Sequence, residues 1–176
     1  MSVRIALAFG ASLFLVACGN ADAAASKGHG AAAASSASTN WSDATLNAAK
    51  VDYAFNAMNK MTDYAIAHPD FDMDAAAMDG SETEADYAKR MNADPKLRAM
   101  FAATGIDPAH YANASGTLFG SMFGVGLAGK NLDRSKLPQA AQYYLDHKAE
   151  IDARMAGFQA KAKAMAKAHG ITDDSE

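Results

Sequence analysis

The clearest structural signal in the chain is residues 42–67, SDATLNAAKVDYAFNAMNKMTDYAIA. Apolar side chains recur within it every three or four residues, at Val51, Ala54, Phe55, Met58, Met61 and Ala65. This spacing places them on one face of an α-helix. Ser42 is a suitable N-cap, and Pro69 ends the helix because the residue before a proline is disfavoured in the α region. The stretch therefore predicts an amphipathic first helix that buries one face.

A second helical region follows an acidic connector. Ser81 and Glu84 have the spacing of a capping box, in which each side chain caps the backbone amide of the other residue. Asp94-Pro95 predicts a break, since an aspartate cap followed by proline is a common way to begin a helix. The piece that begins there ends at Gly105, a residue type favoured just past a helix.

Two more helices are predicted downstream. Asp107-Pro108 repeats the start signal and opens a third helix that runs to about Ala128. The last helix begins near Leu137-Pro138 and runs to about Ala168. Its seam alternates spacings of four and three, at Tyr144, Lys148, Ile151, Met155, Phe158, Ala162 and Met165. No segment alternates strongly enough to be a strand, so we predict an all-α fold, an up-down bundle of about four helices.

The N-terminal residues predict an exported protein. One positive charge at Arg4 precedes an uncharged run from Ile5 to Ala17, shorter than the ~20 residues of a membrane-spanning helix. This length and these flanks are typical of a secretory signal peptide. The run ends in Leu15-Val16-Ala17-Cys18, and Cys18 is the only cysteine in the chain.

Leu15 to Cys18 resembles the lipobox of bacterial lipoproteins. The resemblance implies cleavage before Cys18, a diacylglyceryl group on its sulfur and an acylated new N-terminus. Two or more acyl chains hold a protein durably on a bilayer surface, so the lipid bilayer is an expected partner through acylated Cys18. Gly19 follows where inner-membrane lipoproteins of some bacteria carry aspartate. The resemblance therefore implies an outer-membrane anchor, with the domain facing the periplasm.

The sequence divides into four parts. Residues 1–17 are the predicted signal peptide. Residues 18–40 contain Cys18 and a stretch of mainly Ala, Ser and Gly with no large apolar side chain, for which we expect a flexible linker. Residues 41–170 carry the helical signals and are predicted to form one bundle domain, and residues 171–176 form a short tail.

The charge balance argues against nucleic acid as a partner. Without Arg4, the chain has 15 basic and 20 acidic residues, a net charge of −5. It has no cluster of lysine and arginine that would follow a phosphate backbone. We expect no nucleic-acid partner.

The predicted third helix carries glycines at intervals of four, Gly116, Gly120 and Gly124, and no charged residue from Ala109 to Gly129. An interior glycine costs about 1 kcal/mol relative to alanine, so three in register suggest a geometric reason. The sequence favours a tightly packed central helix whose larger side chains fill the core: Leu118, Phe119, Met122, Phe123 and Leu127. Glycines in this register also let another helix approach closely, so self-association as a homodimer and membrane association are alternatives.

Methionine and histidine suggest a metal site as an alternative interpretation. Met58 and Met61 are one helical turn apart, as two soft ligands for Cu(I) would be, and His147 lies on the last helix. Methionine and histidine are also ligands of haem iron. Because both methionines fall on the apolar face of the first helix, core packing is the favoured interpretation. We expect no cofactor.

An acidic stretch, residues 70–74, resembles the opening of a calcium-binding loop. An EF-hand loop needs glycine at its sixth position and glutamate at its twelfth, where this chain has Ala75 and Ser81. A solvated acidic connector is the favoured interpretation, and a looser site completed by Asp79 or Glu82 is the alternative.

The sequence carries no enzyme motif. It lacks a Gly-x-Ser-x-Gly sequence, an HExxH sequence and a phosphate-binding glycine loop. It therefore predicts a non-catalytic lipoprotein whose helical domain binds an envelope protein, the cell wall or a hydrophobic small molecule. A periplasmic copper or haem carrier is the alternative.

Overall fold

The computed structural model describes residues 39–129 and 132–168 of the chain. Six α-helices follow one another there: α1 (Ala48–Ala67), α2 (Glu84–Ala93), α3 (Pro95–Thr104), α4 (Pro108–Ala128), α5 (Gln139–Asp146) and α6 (Lys148–Ala168). No strand occurs in these two ranges, which confirms the all-α fold class. The predicted signal peptide, Cys18, the predicted linker up to residue 38 and the tail at 171–176 lie outside the described residues.

Two of the four predicted helical regions consist of two helices each. The break before α3 lies where it is predicted, because the Asp94 carboxylate accepts hydrogen bonds from the amides of Lys96 and Leu97, 2.7 and 3.1 Å away. The break between α5 and α6, at His147, has no signal in the sequence, since residues 139–156 contain neither proline nor glycine. It lets α5 pack against α4 while α6 packs against α1.

The predicted start of the first helix is wrong by several residues. Asn47, not Ser42, caps α1, and its side chain accepts a hydrogen bond from the amide of Lys50. The segment before it forms a turn instead, in which the Asp43 carboxylate accepts from the amide and the hydroxyl of Thr45. A competing local hydrogen bond of this kind commonly keeps Asp-containing segments out of a helix.

The predicted capping box at Ser81 is also wrong. Thr83 caps α2 by accepting from the amide of Asp86, while the Ser81 hydroxyl donates to the carboxylate of Asp79. The predicted ends of two helices are confirmed: Gly105 follows α3 and Gly129 follows α4, with positive φ values of 66° and 63° that favour glycine.

The core consists of two clusters of buried side chains, both of which include residues of α1 and α4. The α5/α6-side core contains Leu46, Val51, Phe55, Met58, Leu118, Tyr144 and Ile151 among others. The α2/α3-side core contains Met61, Ala76, Tyr87, Met91, Leu97, Met100, Phe101 and Ala112 among others. Thus α1 and α4 are the central helices, and the other elements cover them.

Candidate interaction surface

The two halves of α4 have different surroundings. Its N-terminal half is buried, with Ala112, Asn113, Ala114 and Leu118 each at most 2% exposed. Beyond Ser121, by contrast, every residue of the helix is exposed or only half-buried. The C-terminal half of α4 therefore presents one long face to the surroundings.

Three large apolar side chains lie on this exposed half. Phe119, Phe123 and Leu127 are 40%, 68% and 73% exposed. The prediction that they fill the core is wrong, although Leu118 is buried and Met122 is half-buried as part of the α5/α6-side core. Their spacing of four aligns them along the helix, and we refer to them as the α4 ridge.

The glycines of α4 lie beside this ridge and have open space around them. A Cβ atom built on Gly120 or Gly124 would meet no atom within 4 Å, and one on Gly116 would meet only the Met78 sulfur, 4.0 Å away. Within the described residues, close packing therefore does not explain why these positions are glycine.

These three glycines line a groove of about 930 Å3, which we refer to as the glycine groove. Its other lining residues come from the connector before α2, the beginning of α2, the beginning of α5 and the segment before α1. They include Ser42, Ala44, Met78, Glu82, Glu84, Leu137 and Pro138. The groove therefore lies on α4 at the junction of several elements.

The polar side chains of the groove bond within the protein. Ser121 donates its hydroxyl hydrogen to the Thr117 carbonyl, 2.7 Å away. Two Arg90 nitrogens donate to the Glu82 carboxylate over 2.8 and 2.7 Å, and the guanidinium lowers the Glu82 pKa. The same arginine occupies the carboxylate that a looser calcium site would use. Asn113 donates to Glu84 over 2.6 Å.

The connector that forms part of the groove is held in place from α2. Arg90 donates to the carbonyls of Ala75 and Ala77, and the buried Tyr87 hydroxyl donates to the carbonyl of Ala76. The Tyr87 hydroxyl is protonated and a donor at neutral pH, and burial raises its pKa further above the ordinary value. These contacts fix the backbone just before Met78, which lines the groove opposite Gly116.

The segment before α1 is fixed beside the same groove by a buried lysine. Lys50 is fully buried, and its ammonium nitrogen donates to the carbonyl and the carboxylate of Asp43 over 2.7 and 2.8 Å. The hydrogen bond from Lys50 to the carboxylate, together with one from the Thr45 hydroxyl, lowers the pKa of Asp43 to about 2. The side chain of Gln139 also bonds to both backbone groups of Leu46. The chain therefore reaches the bundle at a defined position, next to the groove-lining residue Ser42.

The residues of the metal hypothesis lie in different surroundings. Met58 is buried in the α5/α6-side core and Met61 in the α2/α3-side core. His147 is exposed and stacks on Tyr143, with ring centroids 4.2 Å apart. In the described part of the chain, no group of three or more His, Cys, Asp or Glu residues could hold a metal ion.

Comparison with known proteins gives no relative: no family model, curated protein or solved structure matches the chain. Among the described residues, no helix combines the length and the apolar character needed to cross a bilayer. The α4 ridge and the glycine groove together form the candidate interaction surface.

Proposed function

We propose that this protein is a bacterial lipoprotein that is anchored to the outer membrane through acylated Cys18. Its non-catalytic helical domain binds a partner in the periplasm through the α4 ridge and the glycine groove. The observation that carries the binding role is the exposure of Phe119, Phe123 and Leu127 on consecutive turns of one helix. Adjacent apolar side chains on a protein surface commonly mark an interaction site.

The glycines support a binding role for this face. Replacing an interior helical glycine by alanine stabilises a helix by about 1 kcal/mol, and open space beside Gly120 and Gly124 would admit the methyl group. Because close packing within the monomer does not require glycine at these positions, we attribute them to close approach by a partner. The ridge would supply the buried apolar area and the groove would supply the close fit.

The chemistry of the groove favours recognition over catalysis. Glu82 is paired with Arg90 and Ser121 is bonded to the helix backbone, so neither is poised as a base or nucleophile. The copper or haem alternative has less support, because Met58 and Met61 pack in the core. A stoichiometric metal or a Soret absorption band in the purified protein would favour that alternative.

The binding role is tested by chemical crosslinking of the full chain in intact cell envelopes. The expected product joins this chain to its partner. Phe123→Asp places a charge in the middle of the α4 ridge and should abolish that product. Ile66→Asp is the matched control, because Ile66 is 41% exposed and lies at the end of α1, on another element. The control should keep the product, and an unchanged product in Phe123→Asp would contradict the proposed surface.

The anchor is tested separately with Cys18→Ser. This variant should lose metabolic labelling by a fatty-acid analogue and move from the membrane fraction to the soluble fraction. Retention of the variant in the membrane fraction would contradict the lipid anchor. That result would not test the binding surface, which the Phe123→Asp experiment tests separately.

A further inference from the structure

The α4 ridge and the glycine groove run along the same face of one helix with the same repeat. Phe119, Phe123 and Leu127 are spaced by four residues, and so are Gly116, Gly120 and Gly124. Steps of four residues drift by only about 40° around an α-helix, so the two rows are nearly parallel. They are neighbours because each glycine stands three residues before a ridge side chain. Rows of this spacing are the ridges and grooves by which two helices pack.

We infer that the partner of this face is a second copy of the same chain. In a twofold dimer, the α4 ridge of one protomer would lie in the glycine groove of the other, and the reverse contact would form at the same time. Such an interface is closed, because the same surface is used on both subunits. The inference rests on the proposed function, since it names the partner of the surface described there.

The charges of the face are compatible with this pairing. From Ala109 to Gly129 the chain has no charged residue, although the protein as a whole is acidic. Glu82, at the groove, is already paired with Arg90. The Ser121 hydroxyl is bonded to its own helix, so pairing leaves no unbonded hydroxyl hydrogen at this position. Within the described residues, Glu84, at the beginning of α2, is the groove carboxylate without a cationic partner, and it accepts a hydrogen bond from the neutral Asn113 amide. The α4 helices themselves therefore meet without like-charge repulsion.

The size of the face indicates how strong the contact is. From Gly116 to Leu127, a helix is about 18 Å long, and with a diameter of about 10 Å it offers an area on the order of 200 Å2. A stable interface commonly buries about 800 Å2 on each partner. Even with the groove walls added, we therefore expect weak association in dilute solution.

A shared membrane would compensate for this small area. Two copies anchored through Cys18 to one bilayer are confined near each other, which raises their effective concentration without any new contact. Hydrogen bonds hold Asp43 and Leu46, in the segment before α1, against the bundle, and Ser42 of that segment lines the groove. We therefore expect the dimer on the membrane, and monomers once the anchor is removed.

A second copy fits this face better than lipid does. Glycines add almost no apolar area, so they would contribute little to burial in a bilayer. They do let two helix backbones approach closely. The combination of Phe123 with Gly120 and Gly124 is therefore more useful in a helix–helix contact.

The experiment uses full-length chains that carry two different C-terminal tags and are produced in the same cells. Gly126→Cys adds a thiol at the edge of the face, where no atom lies within 4 Å of the new Cβ. A short bis-maleimide should then join two differently tagged copies in membranes. Ala99→Cys is the matched control, because Ala99 is exposed on α3, away from the face, and should give no such product.

Gly120→Leu in the Gly126→Cys background then fills the groove. We expect the crosslinked yield to fall at least tenfold, whereas the melting temperature of the monomer stays within a few degrees because the side chain enters open space. Adding Cys18→Ser at the same total concentration should also remove the product. An unchanged yield in Gly120→Leu would overturn the inference.

Other results would identify a different occupant. A product of Gly126→Cys with a chain of another mass overturns the second copy but supports the proposed binding role. If no crosslinked product forms and an environment-sensitive dye at position 126 reports nonpolar surroundings in membranes, the second copy is overturned. The bilayer is then the occupant of this face. Membrane retention of Cys18→Ser contradicts the anchor alone, since the tagged-copy product measures the pairing independently.

Discussion

Lys50 combines a charged side chain with complete burial, which requires a partner. Its ammonium group finds this partner in Asp43, seven residues earlier, through both the carboxylate and the carbonyl. The Asp43 carbonyl also accepts from the Asn113 side chain of α4. The ion pair thus connects the segment before α1 to α1, and the Asn113 hydrogen bond connects it to α4.

This pair predicts an acid-dependent loss of stability. The Asp43 pKa is lowered from its ordinary value of 3.8 to about 2 in the folded state, chiefly by the hydrogen bond from Lys50. A carboxyl whose folded pKa is lowered stabilises the fold fully above its unfolded pKa, and this stabilisation is lost as the pH falls towards the folded value. The stabilisation by the Asp43 carboxylate should therefore be lost between about pH 4 and pH 2.

The measurement is the free energy of unfolding by urea, for the chain from Gly19 with and without Asp43→Asn, between pH 6 and pH 2. We expect Asp43→Asn to be less stable at pH 6 and the difference to shrink below pH 4. Asp70→Asn, in the exposed connector, is the control for removal of a carboxylate. A difference between Asp43→Asn and the unchanged chain that stays constant across this range would contradict the role of the ion pair.

Local signals explain which residues the sequence identifies. Asp94 and Asp107 are correctly predicted as caps because their bonds go to amides two or three residues away. Lys50 and Arg90 are missed because burial or long-range carbonyl contacts define their roles. Lys50 does carry a signal in retrospect, since it stands four residues before the buried Ala54 on the apolar side of α1.

At the scale of elements, α4 shows what the spacing of apolar residues cannot predict. Its apolar and small residues surround the helix almost completely, so the sequence predicts a helix but does not indicate which side meets the core. The covering elements decide this, and they bury Leu118 while leaving Phe123 exposed. The candidate surface therefore follows from tertiary structure, although its glycines are evident in the sequence.

Two glycines with equally open surroundings should respond in opposite ways to alanine. At both Gly105 and Gly120, a new Cβ atom meets nothing within 4 Å. Gly105 has a φ of 66°, which is unfavourable for alanine, so Gly105→Ala should destabilise the fold by about 1 kcal/mol. Gly120 is helical, so Gly120→Ala should stabilise the monomer by up to about 1 kcal/mol.

Urea unfolding of the chain from Gly19 at low protein concentration measures both effects without the membrane. A destabilising effect of Gly120→Ala would contradict the open surroundings of the glycine groove. It would mean that the monomer itself requires glycine there, and the argument for a partner at this face would fail.

The last helical region is also only partly predictable from the spacing of its apolar residues. Its predicted seam is partly confirmed, with Tyr144 and Ile151 buried and Met155 and Phe158 packed against the same core. Lys148, predicted as part of this seam, is not packed in the core: its side chain is half exposed and pairs with Asp152. The break at His147 is absent from the sequence signals because it arises from packing on two different helices, α4 and α1.

At the scale of the whole molecule, α1 and α4 join the two core clusters. Phe55 and Met58 of α1 belong to the α5/α6-side core, whereas Ala57 and Met61 of the same helix belong to the α2/α3-side core. Helix α4 is shared in the same way. Because neither cluster can lose these helices without exposing the other, we expect the described part of the chain to unfold in one step.

This expectation can be tested with a change in one core and a probe in the other. Met91 is fully buried in the α2/α3-side core, and Met91→Ala should lower the free energy of unfolding by about 2–5 kcal/mol. Trp41, the only tryptophan, packs against the α5/α6-side core and stacks on His110 with ring centroids 4.5 Å apart. Its fluorescence therefore reports on the opposite cluster.

In urea, the midpoint measured by Trp41 fluorescence and the midpoint measured by far-ultraviolet circular dichroism should coincide, and Met91→Ala should lower both equally. Lys89→Ala, on the same helix but exposed, is the control and should leave both midpoints nearly unchanged. A Trp41 midpoint that stays in place while circular dichroism shows an earlier transition would mean that α2 and α3 unfold separately. The shared helices would then fail to couple the two cores, because the loss of one cluster would leave the other intact.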